Sequence, residues 1–121
     1  PIMNVDQEGL RQVFYNLLDN AYKYSGKSRN IDLALVKLEN GIQISFQDYG
    51  IGIHLKDQKR IFERYFRSHF DKTEDIKGNG IGLAIVSQVV KSHHGKLDVK
   101  SELGKGSTFS VIIPFSKTTS V

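Results

Sequence analysis

The run Asn40-Gly41-Ile42-Gln43-Ile44-Ser45-Phe46-Gln47-Asp48-Tyr49-Gly50-Ile51-Gly52 decides how this chain folds. Ile42, Ile44 and Phe46 alternate with polar neighbours, the period of a half-buried strand. Upstream, Ile31, Leu33 and Leu35 alternate in the same way. Asn40-Gly41 between the two runs favours a tight hairpin whose two central residues take positive φ. The second strand therefore delivers Asp48, Gly50 and Gly52 at its end, where ligand sites concentrate.

Working outward, Leu10, Val13, Phe14, Leu17, Leu18 and Ala21 recur at helical spacing and predict a helix from Asp6 to Tyr24, with Asp6 and Glu8 suited to its positive end. The polar stretch from Ser25 to Asn30 links it to the first strand. Beyond the glycines, Leu55 to Phe66 reads as a short helix carrying Ile61, Phe62, Tyr65 and Phe66, followed by a polar stretch from Arg67 to Lys77. The run from Ile81 to His93 is apolar almost all round, which predicts a largely buried helix, with Gly95 in the C′ position that glycine favours. Lys96 to Ser101 and Ser107 to Phe115 read as two further strands joined by Glu102 to Gly106, with Pro114 near the strand's end as an edge-tolerated residue and a frayed polar tail from Ser116. The order helix, two strands, helix, helix, two strands predicts an α+β fold: a two-layer α/β sandwich with at least four strands covered on one face by helices.

A chain of 121 residues with 39% hydrophobic and 25% charged residues is of ordinary globular composition and is expected to form one domain over residues 1–121. Cysteine is absent, so no disulfide framework or thiolate metal site is available. There is no long apolar run of the kind that spans a membrane. The start at Pro1 lacks the segments of a signal peptide and suggests a piece of a longer protein. The net charge of +4 is scattered along the sequence, which reads as a solvated basic surface, not as a nucleic-acid site.

Three constellations carry chemistry. Asn16, Asn20, Lys23 and Tyr24 fall on one face of the first helix, opposite its apolar stripe. Amide oxygens suit a hard cation such as Mg²⁺, and Lys23 suits phosphate; taken alone, the same pattern is also that of a solvated helix face. Asp48, Gly50 and Gly52 put a carboxylate beside backbone that a flat ligand can approach closely, and the carboxylate can accept from an exocyclic amine. Taken alone, Asp-x-Gly-x-Gly is equally an ordinary turn. Gly78-Asn79-Gly80-Ile81-Gly82 precedes a helix, where free backbone N–H groups favour phosphate. It is not a dinucleotide fingerprint, because Leu83 stands where glycine or alanine is required and a polar loop precedes it. Nor is Gly26-Lys27-Ser28 a P-loop, because Ala21 stands where the leading glycine belongs.

In this order the segments resemble the catalytic and ATP-binding domain of sensor histidine kinases, over nearly the whole chain. Asn16 to Tyr24 is similar to the family's asparagine box, Asp48 to Gly52 to its first glycine box, Ile61 to Phe66 to its phenylalanine box, and Gly78 to Leu83 to its second glycine box. Gly104-Lys105-Gly106-Ser107-Thr108-Phe109 is similar to its closing segment. The resemblance implies the Bergerat ATP-binding sandwich shared with type II topoisomerases and heat-shock chaperone ATPases, with a mixed, mostly antiparallel sheet. It implies ATP and Mg²⁺ as ligands, with Asn20 on the metal, Asn16 supporting it, Lys23 on phosphate, Tyr24 against adenine and Asp48 on the adenine amine. Gly50 and Gly52 would line the base pocket, Gly80 and Gly82 would let a lid over Arg67 to Asn79 approach the triphosphate, and Thr108 would back the adenine through water. Ile53, Phe62, Gly78, Asn79, Ile81 and Leu83 complete the implied nucleotide-binding set, and Arg64 or Arg67 would add a phosphate contact.

Hydrolytic relatives carry a water-activating glutamate where this chain has Asn16, whose amide has no basic lone pair. Phosphoryl transfer to a histidine is therefore expected, the acceptor lying on a dimerisation and phosphotransfer domain outside this chain. None of His54, His69, His93 and His94 has the sequence context of the phosphoacceptor box, and the dipole at a helix end accounts for His93 and His94. The implied partners are that domain and a response regulator, without nucleic acid or membrane contact, in a cytoplasmic setting even where the parent is membrane-anchored. The alternatives are an ATPase of the chaperone or topoisomerase type and a regulatory module like the serine-kinase anti-sigma relatives.

Overall fold

The computed structural model describes residues 5–25, 30–63 and 82–115. Helix α1 spans Gln7–Tyr24, with Asp6 as its N-cap: the extended Asp6 backbone turns its carboxylate onto the Glu8 N–H at 3.1 Å, satisfying one of the free donors of the first turn. Gly9, Val13, Leu17 and Ala21 form its buried stripe. Helix α2 spans Gly82–Ser92 and packs against α1, with Val86 and Val90 fully buried.

Strands β1 (Ile31–Lys37), β2 (Gly41–Asp48), β3 (Lys96–Glu102) and β4 (Gly106–Pro114) form one sheet in the order β1-β2-β4-β3, and all three pairings are antiparallel. Placing β4 between β2 and β3 sets the end of β2 beside the start of β4, with Asp48 opposite Ser107. The helices cover one face. Val13, Leu17, Phe46, Ile61, Val86, Val90, Phe109, Val111 and Ile113 make a single core between the layers, and each such large side chain contributes roughly 1.5–3 kcal/mol by burial. Phe14 meets Phe46 edge to face at 5.2 Å, and Phe62 meets Phe109 likewise at 6.2 Å.

Five local expectations are corrected. The hairpin tip lies at Glu39 and Asn40, between Leu38 and Gly41, and neither Asn40 nor Gly41 has positive φ. Gly41 is needed for a different reason: a Cβ there would collide with the Ile113 carbonyl of β4. The helix expected from Leu55 to Phe66 is a chain of turns through Glu63, and residues 64–66 lie outside the described residues. Here the Lys56 N–H is taken by His54 Nδ1 at 3.0 Å and the Ile53 carbonyl by the Gln58 amide at 3.0 Å, side-chain bonds that compete with a helical ladder. Leu33 and Leu35 do share a face with Phe46 and Ile44, but they are 50% and 70% exposed because β1 is an edge strand and α1 lies over β2 and β4.

The fourth concerns the end of α2. The left-handed residue is His94, with φ 58°, and not Gly95. The His94 N–H donates to the Lys91 carbonyl at 3.0 Å and the Gly95 N–H to the Val90 carbonyl at 2.9 Å, the paired bonds of a Schellman motif with His94 at C′. Gly95 is small because a Cβ there would collide with the Ile112 carbonyl. The helix is also less enclosed than its composition suggests, since Leu83, Ala84, Ile85 and Val89 are half-buried.

Candidate functional site

Asp48 is the last residue of β2 and is 1% exposed. Its Oδ1 accepts from the Gly50 N–H at 2.9 Å, and the Ser107 N–H also donates to the carboxylate. Oδ2 is buried with no hydrogen-bond partner. Burial pushes the carboxyl above its ordinary value of 3.8, and the two backbone donors pull it part of the way back. A buried acceptor without a donor is costly in a native fold and points to a ligand that supplies one.

Three glycines shape the backbone around that carboxylate. A Cβ on Gly50 would collide with the Tyr24 carbonyl, one on Gly52 with the Glu102 carbonyl, and one on Gly106 with the Asp48 carbonyl. Gly52 and Gly106 also have positive φ, at 76° and 116°. The Ile51 N–H donates to the Tyr24 carbonyl at 3.2 Å and the Gly104 N–H to the Ile51 carbonyl at 2.9 Å, so the loop after β2 is tied to the end of α1 on one side and to the β3–β4 turn on the other.

The polar face of α1 adjoins this loop. Asn16, Asn20, Lys23 and Tyr24 are all half-buried. Asn16 sits against the start of α2, its Oδ1 3.2 Å from where a Gly82 Cβ would stand. The Lys23 ammonium pairs with Asp19 at 2.9 Å, one helical turn back on the same face. Among the described residues no group of three or more His, Cys, Asp or Glu could hold a metal ion. Half-buried Ile53, Phe62 and Leu83 pack against the core beneath the site.

Thr108 is a correction. Residues facing each other across antiparallel strands share a side of the sheet, and Thr108 pairs with Gln47 and Lys100 on the face away from the helices. Ser107 is the hydroxyl beside Asp48 and is 5% exposed. A one-residue shift in a Gly-Ser-Thr-Phe run moves the side chain to the other face, and the core position of Phe109 is the signal that fixes the parity. Three more residues shape the site without any motif to mark them. Ser101 Oγ bonds Ile53, Gly106 and Ser107; the Gln58 amide bridges the carbonyls of Ile53 and Ser101; buried Ser25 caps α1 through the Tyr22 carbonyl at 2.9 Å.

Arg64, Arg67, Gly78, Asn79, Gly80, Ile81 and the lid assigned to Arg67 to Asn79 lie outside the described residues, as does His69. His93 serves the fold. Its Nε2 accepts the Asp6 N–H at 2.9 Å while Nδ1 faces the Val89 carbonyl at 2.8 Å, which ties the start of α1 to the end of α2. Among the described residues no helix is long and apolar enough to cross a membrane.

The family described as histidine kinase-, DNA gyrase B- and HSP90-like ATPase matches residues 5–117. The sensor protein RprX of Bacteroides fragilis is 37% identical over 97% of this chain, which spans 23% of that protein. Among solved structures, the mycobacterial sensor histidine kinase MprB superposes with a TM-score of 0.84 at 32% identity, covering 93% of this chain and 76% of that one. Full-length ShkA in complex with AMPPNP superposes with a TM-score of 0.76 at 30% identity, covering 95% of this chain and 23% of that one. An orphaned buried carboxylate in a glycine-walled loop, an asparagine-bearing helix beside it and these likenesses lead to one conclusion: the chain belongs to the histidine kinase-, gyrase- and HSP90-like ATPase family, as the catalytic, ATP-binding domain of a sensor histidine kinase.

Proposed function

We propose that this domain binds ATP with Mg²⁺ and presents the γ-phosphoryl group to a histidine on a separate helical dimerisation domain of the same kinase, from which a response regulator is phosphorylated in the cytoplasm. The observation that carries the reading is Asp48 Oδ2, buried and without a donor at the end of β2. It suits the exocyclic amine of adenine, and the backbone cleared by Gly50 and Gly52 suits a flat ring. The AMPPNP bound by the related ShkA supports the same ligand class.

The chain's own residues would divide the remaining work along α1. Tyr24 lies toward the base end, Lys23 supplies a cation for phosphate once it releases Asp19, and the amide oxygen of Asn20 would hold the metal with Asn16 in support, the metal's chemistry being to neutralise charge on the phosphate oxygens. The N-terminus of α2, with Asn16 beside Gly82, offers its free N–H groups to the same oxygens. Asn16 takes no proton from water, so the bound nucleotide is protected from hydrolysis until an imidazole, itself a good nucleophile, is brought in line.

The test is incubation with γ-labelled ATP and the separately made helical domain. Label is expected on the histidine of that domain, with little phosphate released by the isolated chain. Steady phosphate release without transfer would overturn the kinase reading in favour of an ATPase.

A further inference from the structure

Lys23 and Asp19 meet at 2.9 Å with side chains 32% and 40% exposed. The pairs Arg11–Glu8, Arg60–Glu63 and Lys105–Glu102 are longer, at 3.1–3.9 Å, and each of their groups is more than half exposed. Water and salt screen the Lys23–Asp19 pair less, so its two charges largely cancel one another at short range. The one ammonium on the polar face of α1 therefore comes with a counter-charge attached.

Position gives that counter-charge its consequence. On a helix, residues three and four apart are neighbours, about 5–6 Å between Cβ atoms. Asp19 thus stands beside Asn16 on one side and Lys23 on the other, at the rim of the face that also carries Asn20. Asn16 in turn lies against Gly82, the first residue of α2, at the helix end that favours phosphate. A carboxylate in this place repels phosphate oxygens, competes with them for the Lys23 ammonium and attracts a divalent cation. All three effects penalise a nucleotide that arrives without metal and spare one that arrives with it. We propose that Asp19 is a specificity-determining residue, which makes the site discriminate between the magnesium complex of the nucleotide and the metal-free nucleotide. This rests on the reading of the Asn16 to Tyr24 face as the one that meets the triphosphate. Whether Lys23 leaves Asp19 or bridges it to a phosphate with its three donors, the carboxylate stays beside the phosphates. Its repulsion is eased only where a divalent cation has cancelled part of their charge.

The test is titration of ATP, with Mg²⁺ or with EDTA, into the wild-type chain and into Asp19→Asn, Asp19→Ala, Asp19→Glu and Lys23→Met. In Asp19→Asn and Asp19→Ala, metal-free ATP is expected to bind more tightly while the magnesium complex gains less. The Mg²⁺-to-EDTA affinity ratio should then fall by about threefold, the worth of a half-exposed charge interaction. Asp19→Glu, which keeps the charge, should hold the ratio above that of the two neutral variants. The fall should shrink at high salt, as a charge effect does and a packing defect does not. An Asp19 that serves the helix alone would change both titrations alike or neither, and an unchanged ratio in the neutral variants overturns the inference. Should Asp19→Asn fail to fold, Asp19→Ala decides, because alanine is the stronger helix former. Lys23→Met is the separate control: if it leaves ATP affinity intact with and without Mg²⁺, the underlying reading of the α1 face has failed, whatever Asp19 does.

Discussion

Gly50 backs onto the carbonyl of Tyr24 so closely that a Cβ would collide with it, while the neighbouring Ile51 N–H donates to that same oxygen at 3.2 Å. The end of α1 and the loop after β2 are thus held as one unit, with Asn20 and Lys23 on one side and Asp48 on the other. Gly50→Ala must part them, and a loss of about 1–3 kcal/mol or more is expected from overpacking against backbone. Denaturant unfolding of the nucleotide-free chain measures it, and unaltered stability would show that the contact is looser than described.

Asp48 predicts a pH dependence of stability. Its folded pKa lies above its unfolded value of 3.8, chiefly through burial. The folded state therefore binds the proton more tightly, and the resulting stabilisation is complete below the ordinary carboxylate value and fades as pH rises through the raised one. Compared with Asp48→Asn, the wild-type chain should be relatively more stable at pH 4 than at pH 7. Unfolding of both proteins at the two pH values checks the sign.

The Schellman motif at the end of α2 makes opposite predictions for adjacent residues. His94 holds φ 58° at the expense of its Cβ, so His94→Gly should stabilise by roughly 1 kcal/mol. Gly95→Ala should destabilise, because its Cβ would meet the Ile112 carbonyl. Thermal melts of the two variants must shift in opposite directions.

For the metal, Asn20→Ala should abolish the gain in ATP affinity that Mg²⁺ confers, while leaving metal-free binding close to wild type. An equal response to Mg²⁺ in both proteins would remove Asn20 from the metal site.

Much of this is legible in the sequence because helical and strand periods are strong where a stripe is long. The apolar stripe from Leu10 to Ala21, and the alternation from Ile42 to Phe46 ending on Asp48, mark α1 and β2, the two elements on which the proposed site is built. What periodicity does not convey is tertiary. Asn40-Gly41 carries the composition of a positive-φ turn, yet Gly41 is small because β4 passes close by. Gly95 resembles a helix cap, yet the cap is His94. Thr108 is the hydroxyl that the resemblance picks out, yet strand parity turns it to the far face and sets Ser107 on the side of Asp48. Leu33 and Leu35 alternate as a buried strand does, but alternation gives the face and not what covers it. Ser101 and Gln58 carry no motif at all, and their bonds exist only once β3, β4 and the loop after β2 are brought together.

The central claim is that Asp48 is the base contact of an ATP site, and calorimetric titration of ATP into the wild-type chain and Asp48→Asn at neutral pH tests it most directly. The loss of a hydrogen bond to a buried charged acceptor should weaken binding by about 10- to 100-fold in a variant that remains folded. Equal affinity for ATP in the two proteins would contradict the account.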